Sequence, residues 1–413
     1  MGYTGIEKII MRNIGADHIK AADIVTVNVD RVMIHDIFIP FVADKFHEMG
    51  FTEIWDPSKV VLIYDHLVPA SRVEDIRHFK IGDAFAEKYG IVNVHRSDGI
   101  CHQLMVEARH VMPGDIVFGT DSHTTTYGSI GAFSSGIGYT EMAAVLGTGQ
   151  LWIKVPETIR ITIEGRLPEN VMSKDIILMI IGDLGADGAN YKALEFHGST
   201  ISQMSIDSRM TIANMAVEAG AKAAIISPDE KTAAYCGISP DSLPDISGDN
   251  DASHIKELYY KAEDLIPVLA CPPAVDKIKP ASELTGIPVD QIFIGSCTNG
   301  RLEDLIIAAD ILKGRRIHPR IRLIVTPASR EIYLQAAKSG ILGTLIESGA
   351  IITHPGCGLC CGRSGGILTD GERIVATNNR NFLGRMGPSS VEIYLASPAV
   401  AAASALKGCI ALP

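Results

Sequence analysis

The sequence has no apolar run long enough to cross a bilayer. Its longest strongly apolar stretch, residues 176–181, falls far short of the roughly 20 residues a spanning helix needs. Cysteine is sparse, with eight in 413 residues, which excludes a disulfide-stapled scaffold. Positive charge is not in excess: 37 Lys and Arg stand against 48 Asp and Glu, a net charge of −11. That balance argues against nucleic acid as a main partner, because phosphate binding needs a basic surface. A small anion remains possible as a substrate, since it needs only a local basic pocket. The first residues contain no apolar signal core, and Ile6 stands where a myristoylation motif needs Ser or Thr. Tandem repeats and low-complexity tracts are missing too. These absences lead us to expect a soluble, cytoplasmic protein with neither membrane nor nucleic acid as partner.

The length exceeds the point at which single cores stop growing, about 250–300 residues, so several domains are expected. Hydrophobic content of 46% with 21% charged residues is an ordinary globular balance. Short β-branched runs, such as residues 59–64, 115–118, 158–164, 223–227, 291–294 and 320–326, alternate with helical patterns at 73–89, 174–184, 208–219 and 302–312. Such alternation predicts an α/β fold with largely parallel sheets. Shifts of composition after Trp152 and in the Pro-rich stretch 270–288 divide the chain into three α/β domains, 1–155, 156–272 and 273–413.

The richest chemistry lies at residues 354–366, His-Pro-Gly-Cys-Gly-Leu-Cys-Cys-Gly-Arg-Ser-Gly-Gly. Cys357 and Cys360 form a Cys-x-x-Cys pair in a glycine-rich loop, and Cys297 stands upstream in Gly-Ser-Cys-Thr-Asn. Three thiolates converging on one centre suit an iron–sulfur cluster with one iron free of protein. The same spacing also suits a structural zinc with His354 as fourth ligand, or simply buried thiols. Cys361 is a spare, since adjacent side chains diverge.

Other residues gather at expected strand ends, where α/β proteins hold ligands. Asp121-Ser122-His123 follows the strand ending near Phe118, and Asp65-His66 follows the run 60–64. His35 beside Asp36, and His102, complete a set of four histidines, three of them beside or near Asp. An Asp near a His can set its tautomer and charge for acid–base work, although each alone reads equally as a hydrogen-bonded loop. Asn214 and Glu218 fall on one face of the expected helix 208–219, and the solvent-facing reading of that pair is the ordinary one. Arg380 and Arg385 lie on a polar segment after a strand, suited either to binding carboxylates or to a solvated loop.

Taken together, Ser296-Cys-Thr-Asn, Gly356-Cys-Gly-Leu-Cys, Gly119-Thr-Asp-Ser-His-Thr and Asn379-Arg-Asn-Phe-Leu-Gly-Arg resemble the aconitase family of hydro-lyases. The resemblance runs from about residue 5 to the C-terminus. It implies three α/β domains around a central cluster site. Cys297, Cys357 and Cys360 would hold a [4Fe–4S] cluster with one iron not ligated by protein. It further implies that Asp65, His66, His102, Asp121 and His123 form the acid–base network, with His102 or His123 as proton donor. Asn214 and Glu218 would flank the open iron. Asn379, Arg380 and Arg385 would surround the cluster and the substrate carboxylate, with Ser122 and His35 also at the substrate. His35 stands where true aconitases have Gln, and Cys361 where the family usually has an apolar residue. The reaction implied is isomerisation of a hydroxy di- or tricarboxylate by dehydration and rehydration. Because the chain stops near the end of the family's third domain, the resemblance implies a separate small subunit carrying the swivelling fourth domain, with its serine base and an arginine. An RNA-binding regulator and a zinc-stabilised scaffold are the readings from other classes.

Overall fold

The computed structural model describes residues 2–413. Its largest sheet has seven strands, in the order Ile278–Pro280, Val268–Ala270, Glu392–Leu395, Arg373–Ala376, Gln291–Ile294, Arg322–Val325 and Ile351–Ile352. The last five of these are parallel to one another, while Val268–Ala270 runs antiparallel to both its neighbours. A five-stranded parallel sheet is ordered Asn93–His95, Val60–Ile63, Arg31–His35, Ile116–Gly119, Phe133–Gly136. A four-stranded parallel sheet is ordered Ala223–Ile226, Ala193–His197, Thr158–Glu164, Lys256–Lys261. An antiparallel ribbon pairs Ile24–Asn28 with Gln150–Lys154. The α/β class expected from the alternating pattern is the one found.

Central strands such as Val60–Ile63, Val-Val-Leu-Ile, are buried at every residue, as parallel strands covered on both faces must be. Strands with weaker signals escape the pattern reading. Phe133–Gly136, Phe-Ser-Ser-Gly, has little β-propensity, yet the open edge of Ile116–Gly119 draws it into register. Lys256–Lys261 carries mostly polar residues and forms an edge strand. The expected helix 208–219 is an α-helix at Ile206–Met215 followed by a 3₁₀ turn at Ala216–Ala219, closed by Gly220 in the left-handed region. The stretch after Asp121, expected to be a polar turn, is a 3₁₀ segment, Ser122–Ile130, buried from His123 onward. It presses so closely on the neighbouring sheet that a Cβ at Gly128 would sit 1.7 Å from the Ala224 carbonyl.

The sheets share cores. Ile161 and Phe196 of the four-stranded sheet pack in one cluster with Phe293, Ile374 and Leu395 of the seven-stranded sheet. Ala193, Ala223 and Ile225 join instead the cluster containing Val32, Val60 and Phe118 of the five-stranded sheet. Among the described residues, no helix is long and apolar enough to cross a membrane.

Candidate active site

Loops at the carboxyl ends of strands in two sheets converge on a cavity of about 320 Å³. His35 ends one strand, Asp65 and His66 follow Val60–Ile63, and Asp121 follows Ile116–Gly119. From the seven-stranded sheet, Cys297 follows Gln291–Ile294, while Asn379 and Arg380 follow Arg373–Ala376. Cys297, Cys357 and Cys360 all line this cavity and none is in a disulfide. Ser296, just before Cys297, holds φ at +79°, a conformation costing roughly 1–2 kcal/mol outside glycine and borne here at the turn that presents the thiol.

The thiols have donors around them. Asn214 Nδ2 and Asn379 Nδ2 each donate to Cys297 Sγ at 3.3 Å, and Asn379 Nδ2 also donates to Asn214 Oδ1 at 3.0 Å. The hydrogen bond from Cys357 pulls the Cys360 thiol down to about 5, with help from the Arg385 guanidinium. Burial pushes Cys297 up to about 12. Arg385 Nε is buried beside the thiols with no hydrogen-bond partner among the described residues.

Three histidine–carboxylate pairs face the same space. His66 Nδ1 lies 2.7 Å from Asp65 Oδ1, while Asp65 Oδ2 accepts from the Cys101 backbone N–H at 2.8 Å. His102 Nε2 meets Asp121 Oδ1 at 2.8 Å, and its Nδ1 meets the Tyr127 hydroxyl at 3.3 Å. His123 is held at both nitrogens, Nε2 by Glu218 at 2.7 Å and Nδ1 by Asp121 at 3.3 Å. Arg380 Nε donates to the same Glu218 oxygen at 2.8 Å, and its Nη2 donates to Ser122 Oγ at 2.8 Å. His35 stacks on His66 with ring centroids 4.2 Å apart, and its Nε2 is buried without a partner.

Burial and charge divide the imidazoles. Burial works against the His66 cation, but the Asp65 carboxylate, then Asp36 and Asp121, raise its pKa well above the ordinary value. Burial and Arg380 oppose protonation of His123, yet Asp121 and Glu218 raise it. At His102 burial prevails and the pKa falls. Asp121 is held well below the carboxylate range: its hydrogen bonds to His102 and His123 outweigh its burial.

All the residues that the resemblance assigned to the site therefore lie in or directly against one cavity. The solvent-facing reading of Asn214 and Glu218 fails, since Asn214 is buried against Cys297 and Glu218, nearly buried, meets His123 and Arg380 behind the cavity wall. His354 is exposed and does not line the cavity, which removes the proposed fourth zinc ligand. Cys361 does line it, its Sγ 3.1 Å from the Gly358 carbonyl. Two residues were missed. Lys174 is fully buried and donates to the carbonyls of Thr377 at 2.8 Å and Asn378 at 2.7 Å, bracing the turn that presents Asn379. Arg301, equally buried, donates to the carbonyls of Cys297 and Thr298, both at 2.6 Å. Their signal was available: each cation sits at the start of a helix, where the macrodipole disfavours it.

A model of the aconitase family (aconitate hydratase) matches residues 7–264 and 236–408. The chain is 49% identical over 416 residues to 3-isopropylmalate dehydratase large subunit 1 of Methanopyrus kandleri, covering 100% of this chain and 99% of that one. It is 44% identical over 413 residues to a probable methanogen homoaconitase large subunit of Methanothermobacter thermautotrophicus, covering 98% and 96%. Among solved structures it resembles the holo form of aconitase X from Thermococcus kodakaraensis, with a TM-score of 0.50 at 13% identity, over 91% of this chain and 89% of that one. At that identity the likeness concerns the fold alone.

Proposed function

The chain belongs to the aconitase family, and from that membership we propose that it is the cluster-bearing large subunit of a hydro-lyase isomerising 3-isopropylmalate by dehydration and rehydration. The observation that carries the reading is the meeting, in one cavity, of Cys297, Cys357 and Cys360 with His66, His102, His123, Arg380 and Arg385. The relatives' names as large subunits support a small-subunit partner. The homoaconitase relative keeps homoaconitate as the second reading of the substrate; citraconate, methylmalate and dimethylmalate belong to the same chemical class.

The residues present fit an iron–sulfur cluster. Three free thiols share a cavity, two side-chain amides donate to one of them, and the Arg385 guanidinium lies against Cys360 with its Nε still without a partner; such donors stabilise thiolate ligands. Cys297, Cys357 and Cys360 would hold it, as [4Fe–4S]. When bound, a cluster with only three protein thiolates supplies Lewis acidity at its fourth iron, polarising the substrate's C–O bond.

The chain's own residues supply the rest. Arg385 and Arg380 bind carboxylate, the fork of each guanidinium matching the two oxygens. His66 is the proton donor to the departing hydroxyl, rather than His102 or His123. Its Nδ1 is anchored on Asp65, whereas Nε2 has only the Asp121 carboxylate at 3.7 Å. Both nitrogens of His102 and His123 are already engaged. Asp121 keeps those two rings in place, and His35 Nε2 is left to bond the substrate. The proton α to the carboxylate goes to a base on the small subunit.

Anaerobic purification with a candidate small subunit, followed by assay of isopropylmaleate, cis-homoaconitate and citraconate hydration, tests this reading. We expect isopropylmaleate to be hydrated fastest, with iron and labile sulfide near a four-to-four ratio. Cys357→Ser should abolish the visible absorbance and Cys361→Ser should keep it. One zinc per chain, or activity indifferent to oxygen and chelators, would overturn it, as would salt-sensitive RNA binding in place of turnover.

A further inference from the structure

A second cavity of about 590 Å³ adjoins the first and shares Phe38, Asp121 and Arg380 with it. None of the residues assigned above explains its far wall, built by Asn190, Tyr191, Gly220 and Lys222. Lys222 is half-buried there. Among the described residues its ammonium has one polar partner, the Gly136 carbonyl at 3.5 Å, and forms no ion pair. Burial disfavours the charge, and the Glu141 carboxylate opposes that effect only from beyond ion-pair range. A cation removed from water without a counter-charge is costly. Its other neighbour is the ring of Tyr191, 5.7 Å from Nζ, a cation–π contact. Tyr191 takes φ of +58° to stand there, a left-handed conformation that a bulky residue adopts only under constraint. The chain thus bears two costs to hold one unpaired cation in a chamber that shares Phe38, Asp121 and Arg380 with the catalytic cavity.

We propose that Lys222 reaches the substrate carboxylate remote from the thiols, where the two cavities meet at Asp121 and Arg380. This deepens the function proposed above by assigning an anion subsite to the large subunit itself. It predicts that substrates and inhibitors with two carboxylates are preferred to those with one.

The test uses the cluster-loaded complex with its small subunit, and the full-length chain alone. Lys222→Met should raise KM for the hydroxy acid roughly tenfold to a hundredfold, as expected for loss of a charge-assisted hydrogen bond, with a smaller effect on kcat. Lys222→Arg should recover most of that loss. By calorimetry, the wild-type chain should bind succinate more tightly than butyrate, and Lys222→Met should erase the difference. That measurement needs no turnover: succinate binding that depends on Lys222 in a protein inactive on every hydroxy acid would sustain the subsite and sink the proposed reaction. Unchanged KM and unchanged succinate binding in Lys222→Met would overturn the subsite. So would weakened association with the small subunit at unchanged KM, which would make the cavity an interface.

Discussion

The proposed acid–base residues are held as pairs, and under the proposed function one pair sets the pH at which the site works. Asp65 raises the pKa of His66 against the effect of burial. A proton donor must be charged, so activity should persist below the raised pKa and fall as pH rises through it. Asp65→Asn removes the principal negative neighbour, and the alkaline limb of kcat should move to lower pH. At pH 8 the loss should be on the order of a hundredfold, typical for general acid catalysis, while the cluster's visible absorbance stays. A pH–rate profile with an unmoved limb would return the proton to another imidazole. Asp121 is different in kind: it touches all three rings, so its loss should disorganise the network rather than shift a limb.

Loops at strand ends hold these side chains, and their tolerances are tight where backbones meet. Gly362 closes the turn after the cysteine loop at φ +70°, and a Cβ there would lie 2.0 Å from the Arg385 carbonyl. Gly371 has nearly the same φ, +75°, but open space around it. Alanine at either position bears the left-handed cost, roughly 1–2 kcal/mol. Only Gly362→Ala must also displace Arg385 and the thiol loop. We expect Gly371→Ala to retain full cluster absorbance and Gly362→Ala to lose most of it, with the far-UV circular dichroism of both unchanged. Equal absorbance in the two variants would remove the close approach from the account. The same packing explains why the stretch after Asp121 misled the sequence reading. Its Ser, Thr and Gly residues have turn chemistry, yet burial against Ala223–Ile226 winds them into a 3₁₀ segment.

The whole molecule depends on sheets that share part of their interiors, although the seven-stranded sheet also packs a core of its own on one face. The four-stranded sheet contributes one face to each of two cores, and the site draws on loops of the other two large sheets and on the helical crossover 206–219 of this one. Unfolding any one should therefore expose the interiors of the others. Calorimetry of the cluster-free chain should give a single transition with calorimetric and van't Hoff enthalpies in agreement. Three resolved transitions would contradict the shared cores. The net charge of −11 is compatible with this picture, since Arg380 and Arg385 line the catalytic cavity and Lys222 the one beside it.

Motif chemistry was legible from residues alone because it depends on side-chain type and local spacing. Cys357 and Cys360 three apart, Asp65 beside His66, Asp121 two before His123 and the apolar runs of central strands all announce themselves. The alternation of those runs with helical patterns likewise sufficed for the α/β class, because parallel strands need crossover connections. Partners separated by a hundred residues could not be read that way. That His123 meets Glu218, that Asn214 and Asn379 both serve Cys297, and that Lys174 braces the turn before Asn379 follow from how the sheets pack together. So does the case for His66 as the proposed acid: every histidine here has an acidic neighbour in space, and only the geometry leaves His66 Nε2 without a close partner where both nitrogens of His102 and His123 are engaged.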